Sequence, residues 1–198
     1  MTSPLPDVIE VALRVAAAVE AVGGAYFVGG SLASSLQGEP RATNDIDLVI
    51  DLPLGRVGAL VKELGPDFEV DAEQLREALL RGTSANIFYL PLVVKIDLFG
   101  HAHGPFDESE FSRRQRIVIR DDGSALFVKT AEDTVLRKLW RYVQGGRVSD
   151  RQWRDVLGVL RAHPGHLDDA YLDRWAPVLG VESLLSRARR EASGSPLG

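Results

Sequence analysis

Apolar residues mark the chain into short elements of two periods. Asp7 can cap a helix that runs to about Val22 and stops at Gly23-Gly24. AYFV then reads as a short buried strand, and SLASSLQG as a short helix opening at Ser31. DIDLVID alternates with period two: Ile46, Leu48 and Ile50 take one face, and Asp45, Asp47, Val49 and Asp51 the other. Residues 54–65 and 71–81 read as helices. SANIFYL and LVVKIDLF are two strands broken by Pro91, and RIVIR and ALFVK flank a second hairpin turn at Asp121–Ser124. From residue 130 the period becomes helical. Thr130 with Asp133, and Ser149 with Gln152, open two capped helices, and two more cover 167–176 and 181–191.

This layout predicts an α/β (α+β) protein: a mixed-sheet core over residues 1–128, a helical lobe over 129–191, and a disordered tail over 192–198. A net charge of −5 argues against an all-over electrostatic grip on nucleic acid. The stretch 129–161 departs from that average, with Lys129, Arg137, Lys138, Arg141, Arg147, Arg151, Arg154 and Arg161 outnumbering its acids. No cysteine occurs, which excludes disulfides and thiolate metal sites. The opening residues lack a basic leader and no apolar run is long enough to span a bilayer, so a cytoplasmic, membrane-free protein is expected.

Candidate chemistry sits between Phe27 and Asp51. Gly24, Gly29, Gly30 and Ser31 approach a P-loop pattern, but Gly30 stands where that loop needs its lysine, so the P-loop is rejected. Asp45 and Asp47 are two apart on a strand and project from one face. Asp97, in KIDLF, lies opposite the apolar face of Val94, Ile96 and Leu98; it could pair with Lys95, or join the other two if the strands are neighbours. Hard carboxylate oxygens suit Mg²⁺ or Mn²⁺. Gly29, Gly30 and Ser31 fit the same site, since a turn without side chains admits phosphate oxygens and a helix start favours anions. His101 and His103 in GHAHG read as loop histidines, because no matching His or carboxylate cluster accompanies them. Trp140, Trp153 and Trp175 fall at apolar helical positions and are expected in the core.

G-G-S, thirteen residues, D-x-D, then a third Asp on a later strand resembles the nucleotidyltransferase superfamily with the DNA polymerase β-type fold, over about Tyr26–Phe99. The stretch TAEDTVLRKLWRYVQGGRVSDRQWRDVLGVL looks like the helical part of the bacterial minimal branch, which includes the AbiE-type toxins of toxin–antitoxin systems. The resemblance implies an enzyme that moves NMP from an NTP, ATP among the candidates, to an acceptor hydroxyl and releases pyrophosphate. It implies Asp45 and Asp47 on two metal ions, Asp97 completing the catalytic metal site beside the acceptor hydroxyl, and Gly30 and Ser31 on the β/γ-phosphates. Lys138 would reach the nucleotide phosphates, with Asp155 on the next helix. Arg41 and Thr43 could brace the D-x-D strand or touch the phosphates. The acceptor would be RNA (tRNA in the toxin-like case), a protein hydroxyl or a small molecule such as an aminoglycoside, and a cognate antitoxin or toxin is a possible partner. A catalytically silent nucleotide-binding or partner-binding module is the competing class.

Overall fold

The computed structural model describes residues 7–39, 43 and 45–194. Arg41 therefore lies outside the described residues, as does the end of the expected tail, residues 195–198. Two compact units emerge: Met1–Leu32 with Thr43–Val128, and Ala33–Ala42 with Lys129–Gly198.

The first unit is built on a seven-stranded sheet. Its strands are β1 (Ala25–Val28), β2 (Asp45–Asp51), β3 (Phe68–Val70), β4 (Ser84–Tyr89), β5 (Val94–Gly100), β6 (Gln115–Val118) and β7 (Ala125–Val128). They are ordered β3-β4-β5-β2-β1-β7-β6. β2 runs parallel to β5 and β1 parallel to β7, while every other neighbouring pair is antiparallel. The alternation read from DIDLVID and VKIDLFG is realised: Ile46, Leu48, Ile50, Ile96 and Leu98 are fully buried, whereas the intervening residues are not. Helices α1 (Val8–Ala21), α3 (Val57–Leu64) and α4 (Ala72–Arg81) supply the matching apolar stripes through Val11, Val15, Val19, Leu60 and Leu75, all without measurable exposure. Asp7 and Asp71 cap α1 and α4 by accepting from the amides of Glu10 and of Glu73 and Gln74. β4 and β5 form the expected hairpin, joined by a single 3₁₀ turn at Leu90–Leu92.

Two elements depart from the sequence reading. Phe68–Val70 is a strand at the edge of the sheet, held by β4 alone. Pro105–Ser112 forms helix α5, with proline in its first turn where a missing N–H costs nothing. Helix α2 (Gly30–Gln37) starts one residue before Ser31.

The second unit holds α6 (Ala131–Gln144), α7 (Asp150–Ala162), α8 (Asp169–Val178) and α9 (Glu182–Ala192) around Leu136, Leu139, Val159, Leu172 and Leu185. The segment after α2 joins it closely: a Cβ on Gly38 would stand 2.9 Å from the backbone nitrogen of Val159. Thr130 caps α6 through the Asp133 amide, and its hydroxyl donates to the Asp133 carboxylate at 2.7 Å. Tyr171 donates to the other oxygen of that carboxylate at 2.6 Å, so the buried Asp133 is partnered on both sides. Trp175 is buried as expected, but Trp140 and Trp153 are only half-buried. Trp153 lies at the surface between Arg187, 4.5 Å over its ring, and Glu191, which accepts from its indole N–H at 2.8 Å. Among the described residues, no helix is long and apolar enough to cross a membrane.

Candidate active site

Parallel pairing of β2 with β5 sets the site. Its register places Asp45 opposite Lys95 and Asp47 opposite Asp97. Directly paired residues share a face, with strands about 4.8 Å apart. Asp45, Asp47, Lys95 and Asp97 therefore form one polar patch on the face opposite the isoleucine and leucine core. On the far side of β5, Asn86 of β4 pairs with Asp97, extending the row to Asp47–Asp97–Asn86. Asn86 was not singled out from the sequence; the hairpin register with Asp97 is the signal that would have found it.

The Gly29-Gly30 turn abuts this patch. The Gly29 amide donates to the Asp47 carbonyl at 2.9 Å. Gly30 opens α2 with φ of +55°, and a Cβ there would stand 1.6 Å from Asp47 Oδ2. Only glycine fits, on both steric and conformational grounds. Ser31 follows in the first turn of α2. A helix start and a carboxylate of the D-x-D strand thus occupy one place. Thr43 donates its hydroxyl to the Asp45 carbonyl at 3.2 Å, which braces the start of β2.

Charge in the patch is partly balanced from within. Lys95 Nζ lies 2.8 Å from Asp97 Oδ2, the pairing weighed for Asp97 from the sequence. That hydrogen bond, reinforced by the fields of Asp97, Asp45 and Asp47, holds the Lys95 ammonium above its ordinary value. Three carboxylates against one ammonium leave a net negative site of hard oxygen donors. Lys95 supplies the counter-charge, and carboxylate oxygens are of the hard type that suits Mg²⁺ or Mn²⁺. Asp97 is mostly covered and Lys95 is 40% exposed, so the ammonium can swing away while the carboxylate stays.

In the helical unit, Lys138 and Asp155 meet one another. Nζ lies 2.7 Å from Asp155 Oδ2, and the two side chains are only 6% and 7% exposed. The Ser34 hydroxyl donates to the same oxygen at 3.3 Å. The basic stretch 129–161 divides accordingly. Lys129 and Lys138 are buried, whereas Arg147, Arg151, Arg154 and Arg161 are exposed.

The loop histidines are not without company. Glu108, on α5, accepts a hydrogen bond from His103 Nδ1 at 2.8 Å, and His101 lies beside them. The sequence reading missed this carboxylate because it returns to the loop only through the unrecognised helix α5.

No protein-family model and no curated protein matches the chain by sequence. Solved structures do match it. One is an antigenic nucleotidyltransferase-like protein from Paracoccidioides brasiliensis, with a TM-score of 0.56 and 18% identity over 91% of this chain and 90% of that one. Another is ANT(2″)-Ia in complex with adenylyl-2″-tobramycin, with a TM-score of 0.53 and 12% identity over 88% of this chain and 98% of that one. The chain has a nucleotidyltransferase-like fold.

Proposed function

We propose that this chain is a metal-dependent nucleotidyltransferase that moves an NMP from an NTP to an acceptor hydroxyl and releases pyrophosphate. The observation that carries this reading is the close approach of Gly30 to Asp47, which brings the glycine turn and helix start against the carboxylate patch. Asp45, Asp47 and Asp97 would hold Mg²⁺ or Mn²⁺, two ions once NTP is bound. Such ions neutralise the triphosphate and ease charge build-up on the attacking and leaving oxygens.

The chain's own residues do the rest. The Gly29-Gly30 backbone and the Ser31 hydroxyl hold the β/γ-phosphates. The acceptor oxygen forms a bond to the α-phosphorus as the bond from that phosphorus to pyrophosphate breaks. Asp97 takes the acceptor proton, which requires Lys95 to leave it. Positioning and charge neutralisation then supply the rate enhancement. Lys138, with Asp155 orienting it, would serve the nucleotide phosphates.

For the acceptor, the exposed Arg147, Arg151, Arg154 and Arg161 support an RNA end, tRNA in the toxin-like setting. A small-molecule hydroxyl is the second reading, supported by the adenylylated tobramycin held by one structural neighbour. Thermal denaturation tests the site itself. Mg²⁺ plus NTP is expected to raise the Tm of the wild type, and Asp47→Asn is expected to remove most of that shift. An equal shift in the two proteins would exclude Asp47 as a ligand.

A further inference from the structure

We propose that His101, His103 and Glu108 form a binding site for one Zn²⁺-class divalent ion, distinct from the carboxylate patch. Among the described residues, this is the one group of three His, Cys, Asp or Glu side chains whose ligand atoms all lie within 4.8 Å of one another. Tetrahedral zinc at about 2.0–2.1 Å from each donor needs ligand atoms roughly 3.4 Å apart, so small side-chain movements close the site.

His101 gives the independent pointer. It is 7% exposed, and both ring nitrogens are buried without a hydrogen-bond partner. A neutral imidazole always offers a donor and an acceptor, and buried polar groups are nearly always partnered. Coordination gives one of these nitrogens the partner that the protein does not. The ring is also fixed in place: it stacks on Phe111 at 4.3 Å and meets the His103 ring edge-on at 4.6 Å. Its backbone is pinned at the end of β5, where the His101 amide donates to the Ile50 carbonyl at 2.9 Å.

Local folding brings the third ligand. Gly104 precedes the proline-started helix α5, and the Glu108 amide donates to the Gly104 carbonyl at 2.9 Å, which carries Glu108 back over the loop. An exposed His–Glu pair alone contributes little and leaves His101 unpartnered.

Two imidazoles and one carboxylate suit zinc, whereas Mg²⁺ and Mn²⁺ prefer all-oxygen sets. That difference separates this site from Asp45, Asp47 and Asp97. His101 and His103 also line a cavity of about 470 Å³, together with Asp51, Arg81 and Gly82 among others. The ion would fasten α5 to the end of β5.

The test uses the full chain without an affinity tag, stripped by chelator and titrated with Zn²⁺ or Co²⁺ in excess Mg²⁺. One equivalent of Zn²⁺ is expected to bind and raise the Tm, and Co²⁺ to show the intense visible bands of a tetrahedral site. His103→Ala and Glu108→Gln change exposed residues, so the fold is retained, and each is expected to weaken Zn²⁺ binding by more than about tenfold. Asp47→Asn is expected to leave it unchanged. Absence of stoichiometric Zn²⁺ binding in the wild type would overturn the proposal. So would binding that survives the His103→Ala/Glu108→Gln double variant, or that is lost in Asp47→Asn.

Discussion

The main chain at Gly30 lies against the carboxylate of Asp47, where a Cβ would stand 1.6 Å from Oδ2. Helix start and carboxylate patch are therefore interlocked, and neither can shift alone. Gly30→Ala must displace Asp47 and must also hold an L-residue at φ of +55°. The backbone term alone costs about 1–2 kcal/mol. We expect a lower Tm and, beyond that, a loss of metal-dependent NTP affinity of at least about tenfold by calorimetry. A variant that loses stability but binds Mg²⁺–NTP as tightly as wild type would separate the turn from the site.

Lys95 is the internal competitor for Asp97. Removing it as Lys95→Met frees the carboxylate, so Mn²⁺ is expected to bind more tightly in the absence of nucleotide. The gain is that of a partly exposed ion pair, up to about 1 kcal/mol, or about fivefold in Kd. Titration followed by Mn²⁺ paramagnetic resonance reads this directly, and weaker binding in the variant would contradict it.

The same residue has a pH signature. The Lys95 ammonium is held above its ordinary value of 10.5, chiefly by its hydrogen bond to Asp97. A raised cation stabilises the fold fully below the ordinary value, and that contribution is lost as pH rises through the higher folded value. The stability difference between wild type and Lys95→Met, measured by urea unfolding without metal, is therefore expected to be flat through neutral pH. It should shrink only above pH 10.5. A difference that disappears near neutrality would contradict the pairing.

Lys138 and Asp155 are buried together, which makes single substitutions costly. Lys138→Ala takes the ammonium away from the covered Asp155 carboxylate, at a cost of up to about 3–5 kcal/mol. The double variant Lys138→Met/Asp155→Leu is expected to recover most of that stability in denaturant melts. Catalysis should not recover with it if Lys138 serves the nucleotide. Full activity in the restored double variant would assign the pair to folding alone.

The exposed arginines discriminate between acceptors. Neutralising Arg147, Arg151 and Arg154 together to Gln is expected to weaken RNA binding and flatten its salt dependence while NTP affinity holds. Unchanged acceptor kinetics and salt slope would favour a small-molecule or protein hydroxyl.

Much of this arrangement is legible in the sequence, and the exceptions share a cause. Period-two alternation at Asp45, Asp47 and Asp97 fixes which face each carboxylate takes, because neighbouring side chains on a strand must point to opposite sides. What alternation does not contain is register: the pairing of Asp47 with Asp97 emerges only when β2 and β5 become neighbours. Phe68–Val70 is too short to show a period, and the two phenylalanines of α5, Phe106 and Phe111, are spaced too far apart to draw a helical stripe. Missing α5 concealed the meeting of Glu108 with His101 and His103. Lys138 and Asp155 lie 17 residues apart on different helices, so their contact depends on helix packing, not on local pattern. The eight basic residues of 129–161 look alike in sequence; burial of Lys129 and Lys138 separates them.

The most direct measurement follows the phosphorus. The chain is incubated with Mg²⁺ and each NTP labelled at either the α- or the γ-phosphate, together with total RNA, total protein or an aminoglycoside. One acceptor class is expected to take up α-label and never γ-label, with stoichiometric pyrophosphate, and Asp97→Asn is expected to abolish the transfer while still binding Mg²⁺–NTP. Transfer of γ-label, or α-label uptake that is equal in wild type and Asp97→Asn, would contradict it.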